Sequence, residues 1–272
     1  MPGPPPRVLD LFVVPDVVEP IPGVRGGSVR AGDLVLSPGR DAGTATWLNP
    51  VLARLAVRLD EQAAGRRGLR VAMPIPARDG SWVVEGWGAS RYEPETAACH
   101  DLDVMVAAGR LLHAQLAVAV PERPRELCER IDGWGRAERL AFADAATLAT
   151  VAADQPGSSL VRRAAALLDD VDLGPDQLVH VDLAGKVLLD ALGAPVILDV
   201  VPAWRPVLWA EAICVLDSVA WFGAPVSALG RWTSGADRQA MLRALIFRVV
   251  HQPDTATGYE SVLSVLARTA AT

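Results

Sequence analysis

The stretch LVHVDLAGKVLLD, residues 178–190, places His180 two positions before Asp182, and Lys186, the only lysine of the chain, four positions after it. Two short apolar segments follow, Lys186 to Leu189 and Pro195 to Leu198. The turn Leu192-Gly193-Ala194 between them predicts a β-hairpin. The hairpin ends on a second acid, Asp199 in VILDVVPAWRP, seventeen positions after Asp182. Two carboxylates and a single ammonium group are thus arranged around one β-ribbon.

Outward from this ribbon the pattern is helical. Leu102, Val106, Gly109, Leu112 and Leu116 recur at the spacing of one helix face, in a helix that runs to Pro121. Helices are predicted over Arg136–Ala153, Ser158–Asp170 with Ser158 as N-cap, Pro206–Phe222, Ala236–His251 and Gly258–Arg268. Before Pro94 the character differs. Strands are predicted over Val17–Ile21, Ser28–Arg30, Asp33–Leu36, Leu69–Ile75 and Ser81–Glu85, with turns at Pro22-Gly23, Gly26-Gly27, Ala31-Gly32 and Asp79-Gly80. One helix, Thr46–Gln62, carries Trp47, Val51, Leu52, Leu55 and Leu59 on one face and ends at Gly65. The expected architecture is α+β, with a β-rich lobe over residues 1–88, a hinge near Gly86 to Ser90, and a helical lobe over 89–272 that carries the hairpin.

Composition narrows the function classes. With 272 residues, 51% of them hydrophobic, the chain can bury a substantial core. A formal charge of -6 offers no basic face, so nucleic acid is not an expected partner. The start MPGPPPRVLD lacks the charged-then-apolar order of a secretory signal, and the apolar run 206–230 is interrupted by Glu211, Asp217 and Pro225. A cytoplasmic protein with no membrane span is expected. Cys99, Cys128 and Cys214 have no metal-ligand spacing and read as reduced, small apolar residues. Besides Lys186, the other 25 of the 26 Lys and Arg residues are arginine.

His180-Val181-Asp182-Leu183, the hairpin closing on Asp199, and the order of sheet, helix, hinge and helices together resemble the aminoglycoside phosphotransferase family within the protein-kinase-like superfamily. Segments such as GGSVRAGDLVL and WVVEGW are similar to those of an uncharacterised actinobacterial group of it, and the resemblance spans roughly residues 6 to 255. It implies a bilobal kinase-like fold and phosphoryl transfer from ATP to a small-molecule hydroxyl. Asp182 would then accept or orient the hydroxyl proton, Asp199 would hold Mg2+, and His180 would brace the loop. Gly26, Gly27, Ser28, Ser37, Gly86 and Trp87 would be the nucleotide-binding positions. The glycine-rich turn, with Gly23, Gly26 and Gly27, is equally an ordinary hairpin turn.

Two departures count against both ATP and Mg2+. Ser37, in DLVLSP, stands where the resemblance calls for a phosphate-gripping lysine, and no glutamate precedes Glu61 on the following helix; Arg30 or Arg40 could reach inward instead. Lys186 stands where the resemblance calls for a metal-binding asparagine, and an ammonium group has no lone pair to offer a cation. Lys186 can pair with Asp182 or Asp199, contact a phosphate, or act as a base or nucleophile if desolvated. Trp204, Trp209, Trp221 and Trp232 lie after Asp199 and can line a substrate floor or fill the core; Arg205 can meet an anionic group or bridge within its loop. His113 is expected in the core. Three functions follow: a phosphotransferase with a degraded nucleotide site, a pseudoenzyme scaffold that binds a metabolite or partner protein, and a cleft reused for other acid–base chemistry.

Overall fold

The structure is a computed structural model that describes residues 3–21, 27–62, 68–150 and 156–268. It divides into two compact units: Met1–Ala97 with Leu188–Asp199, and Ala98–Val187 with Val200–Thr272.

The first unit opens with α1 (Pro6–Phe12), a short helix with no counterpart in the sequence pattern. Strands β1 (Glu19–Pro20), β2 (Val29–Ala31) and β3 (Leu34–Ser37) follow, then α2 (Ala42–Asp60). Next come β4 (Arg70–Val71), β5 (Pro74–Ile75), β6 (Val83–Val84) and β7 (Trp87–Arg91). The main sheet runs β1-β2-β3-β7-β5, and β6 also pairs with β7. Antiparallel β7 is therefore its centre, opposite both β3 and β5.

This corrects the expected hinge near Gly86 to Ser90. Glu85 and Gly86 both have positive φ, 49° and 78°, and join β6 to β7 as a two-residue hairpin turn. A left-handed pair of this kind matches the twist of adjoining strands, so the glycine ends a turn and starts a core strand. Val8, Leu9 and Phe12 of α1 pack with Leu36, Val84, Trp87 and Ala89 of the sheet. Helix α2 begins four residues before the predicted start because the Asp41 carboxylate accepts the Thr44 N–H at 2.6 Å. The predicted turn positions Pro22, Gly23 and Gly26, and the terminator Gly65, lie outside the described residues.

The second unit holds α3 (Leu102–Ala119), α4 (Arg125–Cys128), α5 (Gly133–Ala141), α6 (Ala145–Ala149) and α7 (Ser158–Ala165). Between α7 and the next helix lie β8 (Asp176–His180), the hairpin strands β9 (Val187–Leu189) and β10 (Pro195–Ile197), and β11 (Pro202–Pro206). Leu188 and Leu189 of β9, with β10, belong to the first unit, where β10 runs parallel to β4. Helices α8 (Val207–Trp221), α9 (Gly235–His251) and α10 (Glu260–Arg268) complete the chain.

The predicted helix over Arg136–Ala153 is two helices. The Asp132 and Asp144 carboxylates each accept a backbone N–H and start α5 and α6 separately. Nor is Ser158 the N-cap of α7. Gly157 holds that place at φ 77°, where any Cβ would stand 2.4 Å from Val249 Cγ1. The core of this unit is α8 against α9, with Trp209, Ile213, Leu216, Leu245 and Phe247 fully buried. Each such side chain contributes about 1.5–3 kcal/mol over leaving it in water. Among the described helices only α3 is long and apolar enough to cross a membrane, by length and composition. Its buried residues include Met105, Leu112, His113 and Leu116.

Candidate functional site

In the second unit, β8 delivers His180 to the start of the loop and β11 lies beside it, with Pro202 opposite His180. Imidazole Nδ1 of His180 accepts two backbone N–H groups, from Asp182 at 3.3 Å and Val201 at 3.1 Å. One ring thereby ties both sides of the loop's base. Behind it, His113 Nε2 accepts the His180 N–H at 3.1 Å. Burial pushes His113 down to about 3, so it stays a neutral acceptor in the core.

Asp182 is held by a residue the sequence reading did not single out. Arg248, on α9, donates from Nη2 to Asp182 Oδ1 at 2.9 Å and to the Val181 carbonyl at 3.0 Å. The same guanidinium hydrogen bonds to Asp217 on α8. Asp217 also accepts from the Tyr259 hydroxyl at 3.1 Å, and Tyr259 accepts from the Trp221 indole at 2.9 Å. Arg248 and Asp217 are 3% and 8% exposed, and Asp182 is 28% exposed. Burial opposes charge on Arg248, but Asp217 and Asp182 outweigh it and raise its pKa. Burial raises Asp217, with Arg248 and Tyr259 pulling the other way. Asp182 Oδ2 takes no hydrogen bond among the described residues.

Lys186 follows a tight turn in which its N–H bonds to the Leu183 carbonyl at 2.9 Å. Gly185 before it sits at φ 74°, directly against the Phe222 ring. Of the tryptophans, Trp209 and Trp232 are core residues, while Trp204 lies within β11 and only Trp221 is substantially open. Of the two alternatives, core packing holds for Trp209 and Trp232. Arg205 is also internal. Its Nε lies 3.0 Å from Glu138 Oε1 and its guanidinium lies over Phe142, so it bridges within the unit instead of facing an anionic ligand.

In the first unit one of the candidate nucleotide positions, Gly86, contacts an arginine. Ser37 is paired with Gly88 across β3 and β7, and its hydroxyl shares a 2.9 Å hydrogen bond with Ser28. The strand position thus carries a neutral pair of hydroxyls. Gly27 precedes Ser28 at φ 78°, Gly86 accepts the Arg40 N–H at 2.9 Å, and Trp87 faces the core; Gly26 lies outside the described residues. The side chain of Arg40 crosses Gly88, where a Cβ would approach its Cγ to 3.1 Å. Beyond Gly88 the Arg40 guanidinium forms an ion pair with Asp199, which sits in the left-handed region at φ 59°.

Asp199 is the carboxylate expected to hold Mg2+, and its surroundings do not fit that ion. A divalent cation needs oxygen lone pairs, whereas a guanidinium offers only donors and a like charge. Among the described residues no group of three or more His, Cys, Asp or Glu is placed to hold a metal. Elsewhere in this unit Arg70 and Arg91 share Asp60 and Glu93, which ties the end of α2 to β4 and β7. Against the opposing effect of burial, hydrogen bonds from Arg91 and Arg70 hold Asp60 below the usual carboxylate range.

Among solved structures, the chain is similar to a thermostable mutant of aminoglycoside phosphotransferase APH(4)-Ia. The identity is 15%, the match covers 97% of this chain and 98% of that one, and the TM-score is 0.58. It is also similar to an aminoglycoside phosphotransferase from Alicyclobacillus acidocaldarius, at 14% identity, 100% and 96% coverage and a TM-score of 0.51. The chain has an aminoglycoside-phosphotransferase-like fold. This is the fold that the His180-x-Asp182 loop and the hairpin implied. A choline/ethanolamine kinase family protein from Mesorhizobium loti matches at 17% identity, 97% and 90% coverage and a TM-score of 0.48. No protein-family model and no curated protein matches the chain.

Proposed function

We propose that this chain is a pseudoenzyme of the phosphotransferase-like fold: a cytoplasmic protein that binds a small hydroxyl-bearing metabolite at the Asp182 loop without transferring phosphate from Mg2+–ATP. The observation that carries this reading is Ser37, an uncharged hydroxyl bonded to Ser28 on the strand where the nucleotide phosphates would need a cation. Losing one preorganised electrostatic contact to a transferring phosphoryl group costs about 10²- to 10³-fold in rate. Lys186 in place of a metal-binding asparagine adds a second such loss, and the two compound. The loop itself supports binding, since His180 and Arg248 fix Asp182 with one oxygen uncommitted.

The test is a thermal-shift series with ATP and Mg2+ on the wild type and on Ser37→Lys/Lys186→Asn. A ligand at 100 times its Kd adds about 2.7 kcal/mol of stability, a shift that is easily read. No shift is expected for the wild type. A wild-type shift that the double substitution does not enlarge sinks the reading. A second reading, a slow phosphotransferase, is favoured by the geometry of Asp182 alone, and Asp182-dependent phosphoryl transfer to an alcohol would establish it.

A further inference from the structure

We infer that Arg40 is the resident cation of Asp199, and that this carboxylate serves an internal ion pair and not a divalent metal. Three features of the first unit converge on the pair. The N–H of Arg40 is fixed to the Gly86 carbonyl at 2.9 Å, which sets where its side chain starts. Gly88, in the middle of the central strand, leaves the stem of Arg40 room to cross the sheet surface, with Cγ 3.1 Å from where a Cβ would stand. Asp199 adopts a left-handed backbone at φ 59°, and its carboxylate pairs with the guanidinium. Aspartate tolerates that backbone better than most residues.

The consequence is chemical. A planar guanidinium delivers a fixed positive charge and N–H donors but cannot be exchanged, so the charge at Asp199 does not depend on Mg2+ concentration. The inference stands apart from the proposed function, because a chain that did transfer phosphate by other means would still show it.

The test needs no substrate. Mn2+ alone is titrated into the wild type and Asp199→Asn, with the free ion followed by its paramagnetic resonance signal. The two proteins are expected to titrate alike, and Mn2+ bound by the wild type but not by Asp199→Asn overturns the inference. Thermal melts of Arg40→Gln, Asp199→Asn and the double variant give the second readout. Asparagine accepts the left-handed backbone, so the carboxylate variant isolates the charge. Each single change is expected to lower Tm by about 2 °C, and the double variant no further. Additive losses would mean that the two groups do not act on each other, and the inference would fall.

Discussion

Arg248→Met gives the sharpest test of how the loop is held. Arg248 is 3% exposed and serves three acceptors: the Val181 carbonyl, Asp182 Oδ1 and Asp217. Methionine fills most of the same volume beside Trp134 and Phe247 but removes the charge. Among the described residues, Asp217, 8% exposed, is then left with only the Tyr259 hydroxyl for a hydrogen-bond partner. Removing one member of a buried ion pair costs about 3–5 kcal/mol, because the stranded charge has lost water as well as its partner. For a domain of this size each kcal/mol lowers Tm by about 2–4 °C, so the expected fall is on the order of 10 °C. Urea unfolding followed by tryptophan fluorescence measures the loss directly. Adding Asp217→Asn removes the stranded charge and should recover more than half of it, since apolar or neutral replacements of both partners are often tolerated. A loss below about 1 kcal/mol for Arg248→Met, or no recovery in the double variant, would refute the claim that this arginine sets the position of Asp182.

Three further outcomes follow from the same geometry. Gly185→Ala places a Cβ 2.5 Å from the Phe222 ring at φ 74°, so it should cost about 1–3 kcal/mol in urea unfolding, and Phe222→Ala should relieve only the steric part. His113 has a native pKa of about 3 against 6.5 when unfolded, so below pH 6.5 the unfolded chain binds a proton that the native state does not. Its contribution is complete above pH 6.5 and is lost as pH falls toward 3, by about 1.4 kcal/mol per pH unit; His113→Gln should flatten that part of a stability–pH curve. Arg205→Ala strands the buried Glu138, whose pKa burial already raises, and should cost about 2–3 kcal/mol, with partial recovery in Arg205→Ala/Glu138→Gln measured by calorimetry.

What could be read in the sequence was what is local. His180, Asp182 and the hairpin to Asp199 lie within twenty residues, and with the order of sheet, helix and helical lobe they carried the resemblance that implied the fold. The helical faces of α3, α8 and α9 repeat at a helical period and were placed nearly to their ends. The strand β7 was missed because Gly86 was weighed as a flexible joint, although Glu85-Gly86 between valine and tryptophan also fits a two-residue hairpin turn. The groups that control the two carboxylates are distant in the chain. Arg248 lies 66 positions from Asp182, and Arg40 lies well over a hundred from Asp199. Among 25 arginines Arg248 had no local mark that set it apart, and Arg40 was one of two expected to reach inward in place of a phosphate-gripping lysine, with no sign that Asp199 would be its partner. Two weaker signals were present: an aspartate, Asp217, inside an otherwise apolar helix, and a glycine, Gly88, inside a strand. Each has its reason in a long side chain that arrives from elsewhere in the same unit.

The most direct measurement of the central claim is transfer or release of the γ-phosphoryl group of ATP in the presence of Mg2+, compared between the wild type and Asp182→Asn across a panel of small alcohols and amino sugars. The account predicts that the two proteins are indistinguishable from each other and from buffer. Turnover by the wild type that disappears in Asp182→Asn would contradict it.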